Sequence, residues 1–214
     1  ARKNDKRAYA AAKLLQMMAH EDPMGIPRLG DTEQAQQVTA ENLYKHYKTV
    51  LKTSPVELFY VGSADADQVA QLVTPFFEKM ERSYEPIAPQ SPLKASKGGY
   101  LSEVMDVVQG KLQMGFVTDR TMDSGDFVAM QVMNAVFGGG ATCKLFMNLR
   151  EQQSLCYDIG SSYMGGKGVV TVGAGIDCHM EQQTRDGILC QLESCCQGDI
   201  TDGELQKGGD VLPG

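Results

Sequence analysis

Between residues 168 and 177 the chain alternates with a period of two. Val170, Val172, Ala174 and Ile176 fall on one side and Thr171, Gly173 and Gly175 on the other. Such a repeat is a strand with one face turned to a core. The glycines leave the opposite face bare, open to a close-packed helix or an incoming peptide backbone. Residues 156–164 carry a second strand pattern, and Gly165-Gly166-Lys167-Gly168 between the two reads as a hairpin turn.

The surrounding segments extend this reading. Leu112, Met114 and Phe116 alternate with polar residues, as do Leu101, Met105 and Val107 before Gln109-Gly110, which predicts another hairpin. Asp123-Ser124 supply cap candidates for a helix that places Ala129, Met133, Val136 and Phe137 on one face and stops at Gly138-Gly139-Gly140. A short amphipathic helix is expected over 141–152. A long one carries Met180, Thr184, Ile188 and Leu192, and Thr201-Asp202 caps a last helix that Gly208-Gly209 and Pro213 cut short. Strands and helices segregated in this way predict an α+β fold, an antiparallel sheet with helices packed on one face.

The first part reads differently. Ala8, Ala11, Leu14, Leu15 and Met18 have helical spacing over residues 6–19, and the loop from His20 to Pro27 holds two prolines and a glycine. Thr39 caps a helix with Leu43, Tyr44, Tyr47, Val50 and Leu51 on one face, Val56–Val61 reads as a buried strand, and a third helix starts near Ala64–Asp67. Pro75 should kink that helix or end its regular part. One strand among three helices cannot make a full sheet. The proline-, serine- and lysine-rich stretch 81–97 is the best linker, so the expected organisation is 1–84, a linker over 85–98, and 99–214.

Composition narrows the function. Twenty Lys plus Arg against 27 Asp plus Glu, a net charge of -7 and no basic run make nucleic acid an unsuitable partner. No stretch nears the ~20 apolar residues needed to cross a bilayer, so no membrane partner is expected and the location is expected to be cytoplasmic. The six cysteines crowd the last third of a chain large enough to need no staples, and are read as reduced thiols. Cys190, Cys195 and Cys196 fall in a helical pattern and lack paired zinc-ligand spacing. His20, His46 and His179 are scattered, and His20-Glu21 reads as a solvated helix end, so no metal ligand and no catalytic residue is assigned to this chain.

Two regions carry a family likeness. Phe137-Gly138-Gly139-Gly140, Leu145-Phe146, Leu149-Arg150-Glu151 and Leu155-Cys156-Tyr157 form one. Met17–Asp31, followed by Val38–Tyr47 and Val61-Gly62, forms the other, with an insertion at His20-Glu21-Asp22-Pro23. In order and over nearly the whole chain they resemble pitrilysin/insulinase-type zinc metallopeptidases of the processing-peptidase kind. The zinc motif of such enzymes, H-x-x-E-H, is missing. The resemblance implies a LuxS/processing-peptidase-like metallohydrolase fold made of two partial homologous domains, as in a fragment of a larger protein. It also implies that zinc, where used, is held by the parent chain or a partner subunit and not by this chain.

In that family an arginine and a tyrosine spaced like Arg150 and Tyr157 hold the substrate backbone and stabilise the oxyanion at zinc. The resemblance therefore implies that Arg150, Tyr157 and the glycine loop Gly138, Gly139 and Gly140 contact a peptide. The same residues also suit blander roles: Arg150 paired with Glu151, Tyr157 packed in the sheet, and the glycines as a helix cap. An edge near Cys156 or Tyr163 is a further candidate for strand addition. Two functions follow: the non-catalytic, substrate-contacting part of a metalloendopeptidase acting on unfolded peptides, or an inactive homologue serving as a peptide-binding or assembly subunit. Partners would be peptide, the catalytic half or partner subunit, and a second copy through exposed sheet edges.

Overall fold

The structure is a computed structural model that describes residues 4–86, 91–94 and 97–210. The chain divides into two compact units, one formed by Ala1–Arg28 with Gln90–Gly214 and the other by Leu29–Pro89.

The first unit contains the sheet. Strands β1 (Gly110–Val117), β2 (Asp158–Met164) and β3 (Val169–Ile176) are antiparallel in the order β1-β3-β2. The register pairs Met114 with Val172 and Phe116 with Val170 on one side, and Ile159 with Ala174 and Tyr163 with Val170 on the other. One sheet face therefore gathers the apolar side chains predicted for it. Helix α5 (Phe127–Gly138), a π-helix over Leu145–Gln152 and α6 (Glu181–Cys196) cover that face. Phe137, Leu145, Leu149 and Ile188 are fully buried there, each contributing roughly 1.5–3 kcal/mol of burial.

The opposite face differs from the expectation of helices on one side only. Helix α1 (Lys6–Met18) lies across β1, and a Cβ at Gly115 would stand 2.0 Å from Met18 Sδ. Gly173 and Gly175 lie beneath Gln113 and beneath Asp158, Gln109 and Lys111. The bare glycine face thus admits a helix at one end and polar side chains at the other. Arg7 binds Asp158 at 2.6 Å across it.

Several local expectations change. Residues 101–107 form no strand, and β1 pairs with β3 instead of an upstream hairpin partner. Alternation shows which residues share a face, not which strand lies beside them. Side chains tie that segment down: Tyr9 donates to Glu103, and Tyr100 to Glu181. Neither Asp123 nor Ser124 caps α5, which starts after Asp126 without a side-chain cap, because the Ser124 hydroxyl accepts from Thr121 N. The helix expected over 141–152 is a π-helix confined to 145–152. Helix α7 (Asp202–Asp210) runs through Gly208 and Gly209, and Gly208 lets it approach Val136. Thr201 caps it reciprocally with Glu204, and Pro213 lies outside the described residues.

Lys167, in the β2–β3 turn, ties three segments. Its Nζ donates to Asp22 Oδ2 at 2.8 Å and to Ser91 O at 3.3 Å, and its carbonyl accepts from Leu93 N at 2.9 Å. Leu93 is buried beside Ala19 and Val169. Part of the predicted linker is therefore docked; its residues 87–90 and 95–96 lie outside the described residues.

The second unit holds α2 (Thr32–Gln36), α3 (Ala40–Thr53) and α4 (Ala66–Glu78). Thr39 and Asn42 form a complete capping box on α3, and α4 continues through Pro75 to Glu78. Val56–Val61 is not a strand, and Phe59 is 86% and Val61 99% exposed. A strand needs backbone partners, and the described residues of this unit include no other strand.

Candidate functional site

The π-helix Leu145–Gln152 buries Leu145 and Leu149 in the core and leaves Arg150 at the rim. After it, Ser154 turns the chain with φ 50°, the only positive φ of a non-glycine residue among the described residues. For L-residues this conformation costs on the order of 1–3 kcal/mol. The turn delivers Cys156 into the core and Tyr157 to the surface, where Tyr157 N donates to Gly175 O at 2.8 Å. Sheet, turn and π-helix together shape an open hollow of about 370 Å³ lined by Arg150, Glu151, Ser154, Leu155, Cys156, Tyr157 and Asp177.

Arg150 and Tyr157, picked out from sequence, are brought together directly. Arg150 Nε donates to the Tyr157 carbonyl at 2.8 Å, its Nη1 donates to Glu151 at 2.6 Å, and the guanidinium stacks 4.6 Å from the Phe146 ring centre. The side chain is thus held on three sides. The Tyr157 ring is not packed in the sheet but 53% exposed, and its hydroxyl donates to Asp177 Oδ1 at 2.8 Å. That bond, with the negative charge of Asp177, pushes the phenol above its ordinary pKa. Burial pushes the neighbouring Cys156 thiol up to about 11, with Asp158 adding to the rise and Arg150 opposing it. Cys156 is therefore a neutral thiol near pH 7, unsuited to nucleophilic attack.

Asp177 escaped sequence reasoning. It lies 20 residues from Tyr157 at the end of β3, and only the β2–β3 pairing places it beside the phenol. The signal available was an acid immediately after the last alternating residue, Ile176.

Gly138, Gly139 and Gly140 lie apart from this hollow's lining. Gly138 ends α5, and Gly139 follows with φ −83°, so this cap needs no left-handed residue. What demands glycine at 138 is close approach: a Cβ would lie 2.4 Å from Ser161 Oγ. Gly139 contributes to a separate hollow with Gln131, Asn134, Ser161 and Tyr163.

The six cysteines are free thiols, with Cys143 and Cys156 buried. His20 and Glu21 stand 3.6 Å apart on the surface just past α1. Among the described residues no group of three or more His, Cys, Asp or Glu is placed to hold a metal ion. No described helix is long and apolar enough to cross a membrane.

Comparison with known proteins decides the family. The family model described as Peptidase M16 inactive domain matches residues 37–209. The chain belongs to this family. Its likeness to pitrilysin/insulinase-type peptidases, read from the motifs around Arg150, is thereby established, and the model that matches is that of the family's inactive domain. It is 31% identical over 209 residues to "Probable inactive metalloprotease YmfF" of Bacillus subtilis, covering 98% of this chain and 49% of that protein. A crystal structure of a conserved protein from Enterococcus faecalis superposes with a TM-score of 0.77 at 27% identity, covering 98% of this chain and 49% of that one. The peptidase M16 inactive domain from Pseudomonas fluorescens has the same fold, with a TM-score of 0.77 at 15% identity over 97% of this chain and 50% of its own. The M16 inactive-domain chain described here spans about half the length of these relatives.

Proposed function

We propose that this chain is a catalytically inactive, peptide-holding part of an M16-type protein, with Arg150 and Tyr157 contacting an unfolded peptide and no chemistry performed by the chain itself. The observation that carries this reading is the bond from Arg150 Nε to the Tyr157 carbonyl. It fixes a cation and an exposed aromatic side by side on one hollow. The described residues do not fit a zinc site, so any zinc would belong to residues outside this chain or to a partner subunit. Nor is the hollow arranged for oxyanion work: the phenolic hydrogen is engaged by Asp177 and the guanidinium charge by Glu151. In this reading residues 1–84 and 99–214 are parts of two homologous domains joined by 85–98, and the free thiols support a reducing, cytoplasmic location.

Binding of a fluorescent unfolded peptide, followed by anisotropy, tests the reading. Arg150→Ala should weaken binding by about tenfold, the worth of a charge-assisted hydrogen bond, with an unchanged circular dichroism spectrum. Equal affinity in the folded variant would remove Arg150 from the site.

An assembly role has its own support. None of the described residues 29–86 is buried, and Leu72, Phe59 and Val61 are 80%, 86% and 99% exposed. Apolar surface on this scale is usually covered by a partner. A catalytic subunit or a second copy would serve. Co-purification with the remainder of the parent protein, and light scattering of the chain alone, separate the two; a concentration-independent monomer mass would reject the second copy.

A further inference from the structure

Where the chain returns from residues 29–89, a single side chain anchors it: among the described residues 91–94 and 97–100, Leu93 alone is buried. It packs with Ala19 and Val169, and its N–H donates to the Lys167 carbonyl at 2.9 Å. The Ser91 carbonyl accepts from Lys167 Nζ at 3.3 Å. Apart from Val117, the partly buried apolar side chains packed on this small cluster are all methionines: Met18, Met24 and Met164. The large core around Phe137 sets eleven buried residues against three methionines, Met114, Met130 and Met133, whereas this cluster sets three against three. A fourth thioether lies along the same returning segment, since a Cβ at Gly99 would stand 3.3 Å from Met17 Sδ. Methionine suits such a place as flexible filler, and leucine would fill it too. Only the thioether responds to peroxide.

We propose that Met18, Met24 and Met164 form a modification site, an oxidation-sensitive latch at which peroxide converts the thioethers to sulfoxides and releases Leu93 with its segment. In each step the sulfur gives an electron pair to one oxygen of hydrogen peroxide, an S–O bond forms, the O–O bond breaks, and the other oxygen leaves as water. Sulfur loses the two electrons that peroxide gains. All three side chains are only partly buried, which leaves them open to so small an oxidant. The product is polar where the thioether was apolar, and its oxygen needs a donor. Those described around the cluster already have acceptors: Lys167 Nζ bonds Asp22 and Ser91, Leu93 N bonds the Lys167 carbonyl, and Met24 N bonds Asp22. At Met18 there is also no room, because its sulfur fills the space that a side chain at position 115 would need. A sulfoxide is accommodated by turning outward, which takes the apolar cover off Leu93. The latch uses nothing at Arg150 and Tyr157 and does not depend on peptide holding.

Hydrogen exchange at the Leu93 amide and tryptic cleavage after Lys94 read the latch on the whole chain before and after dilute hydrogen peroxide, while mass spectrometry locates the sulfoxides. With Met18, Met24 and Met164 oxidised, Leu93 should exchange and Lys94 should be cut about tenfold faster, and the β3 amides should keep their protection. Methionine sulfoxide reductases of both stereochemical types should restore the slow rates. The variant carrying Met18→Leu, Met24→Leu and Met164→Leu keeps the volume nearly unchanged and should stay slow in peroxide. Should it fail to fold, the three single variants give the reading instead, each lowering the peroxide effect. Equal acceleration in the leucine variants would assign the effect to another oxidised group, a cysteine included, and overturn the latch. Slow exchange with all three sulfoxides in place would overturn it too, as would no sulfoxide at these residues once the 59% exposed Met122 is fully oxidised. Protection lost throughout β3, or rates that the reductases leave fast, would mean general damage to the core and no latch.

Discussion

The two units of this chain contain helices of similar quality and reach different ends. In the sheet-bearing unit, α5, α6 and the π-helix bury Phe137, Leu145, Leu149 and Ile188 completely. In residues 29–89, α3 has a full capping box and α4 an Asp65 cap, yet none of the described side chains is buried. Caps and periodicity are local and form a helix wherever they occur. A core needs a second layer, and among the described residues only the first unit has a sheet to supply it. Local order and tertiary stability are thus separable within one polypeptide.

The largest expected contrast is at aromatic residues. Phe137→Ala should cost about 3–5 kcal/mol in chemical denaturation, as loss of a fully buried ring does, whereas Phe59→Ala should stay within about 0.5 kcal/mol. Equal losses would mean that residues 29–89 have a core of their own and would break the comparison. An intermediate effect is expected at Lys144, which is 7% exposed and pairs with Glu204 at 3.1 Å. Lys144→Ala should destabilise by about 1–2 kcal/mol, since Glu204 loses its cation and keeps only its bonds from Thr201, and the loss should appear first as faster hydrogen exchange in α7.

The smallest effect concerns pH. The hydrogen bond from Lys167, followed by that from Met24 N, holds the Asp22 carboxyl below its ordinary 3.8. An acid whose folded pKa is depressed contributes stability in full above its unfolded value and loses it as pH falls through the folded one. Amides around Met24 should therefore exchange evenly at pH 5 and above and open preferentially below about 3.8. In Asp22→Asn this acid-side step should vanish; a persistent step would assign it to another group.

Much of this architecture was legible in the residues. The strand patterns read over 156–164 and 168–177 locate β2, β3 and their turn to within two residues, and apolar spacing locates α1, α3, α5 and α6 because side-chain period is a local property. Pairing was not legible in the same way. Residues 101–107 alternate as well as 112–116 do, but the partner of β1 is β3, about 60 residues away in sequence. The π geometry of 145–152 leaves the positions of Leu145 and Leu149 sensible for either helix type, so residue pattern alone does not separate them. At the site, Arg150 and Tyr157 were visible as a spaced pair. Asp177, which decides what the phenol can offer, becomes a neighbour only after the hairpin closes.

Lys167 has a consequence for how the molecule can be rebuilt. Asp22 and Ser91 both bond to one ammonium, so within the sheet-bearing unit the segment before residues 29–89 and the segment after them are held side by side. In engineering terms those residues form a cassette between adjacent sockets. Joining the sockets by a short flexible turn adds little closure entropy and removes none of the core around Phe137. The shortened chain should retain a cooperative melt, and the vacated sockets would accept a foreign domain whose own termini lie close together.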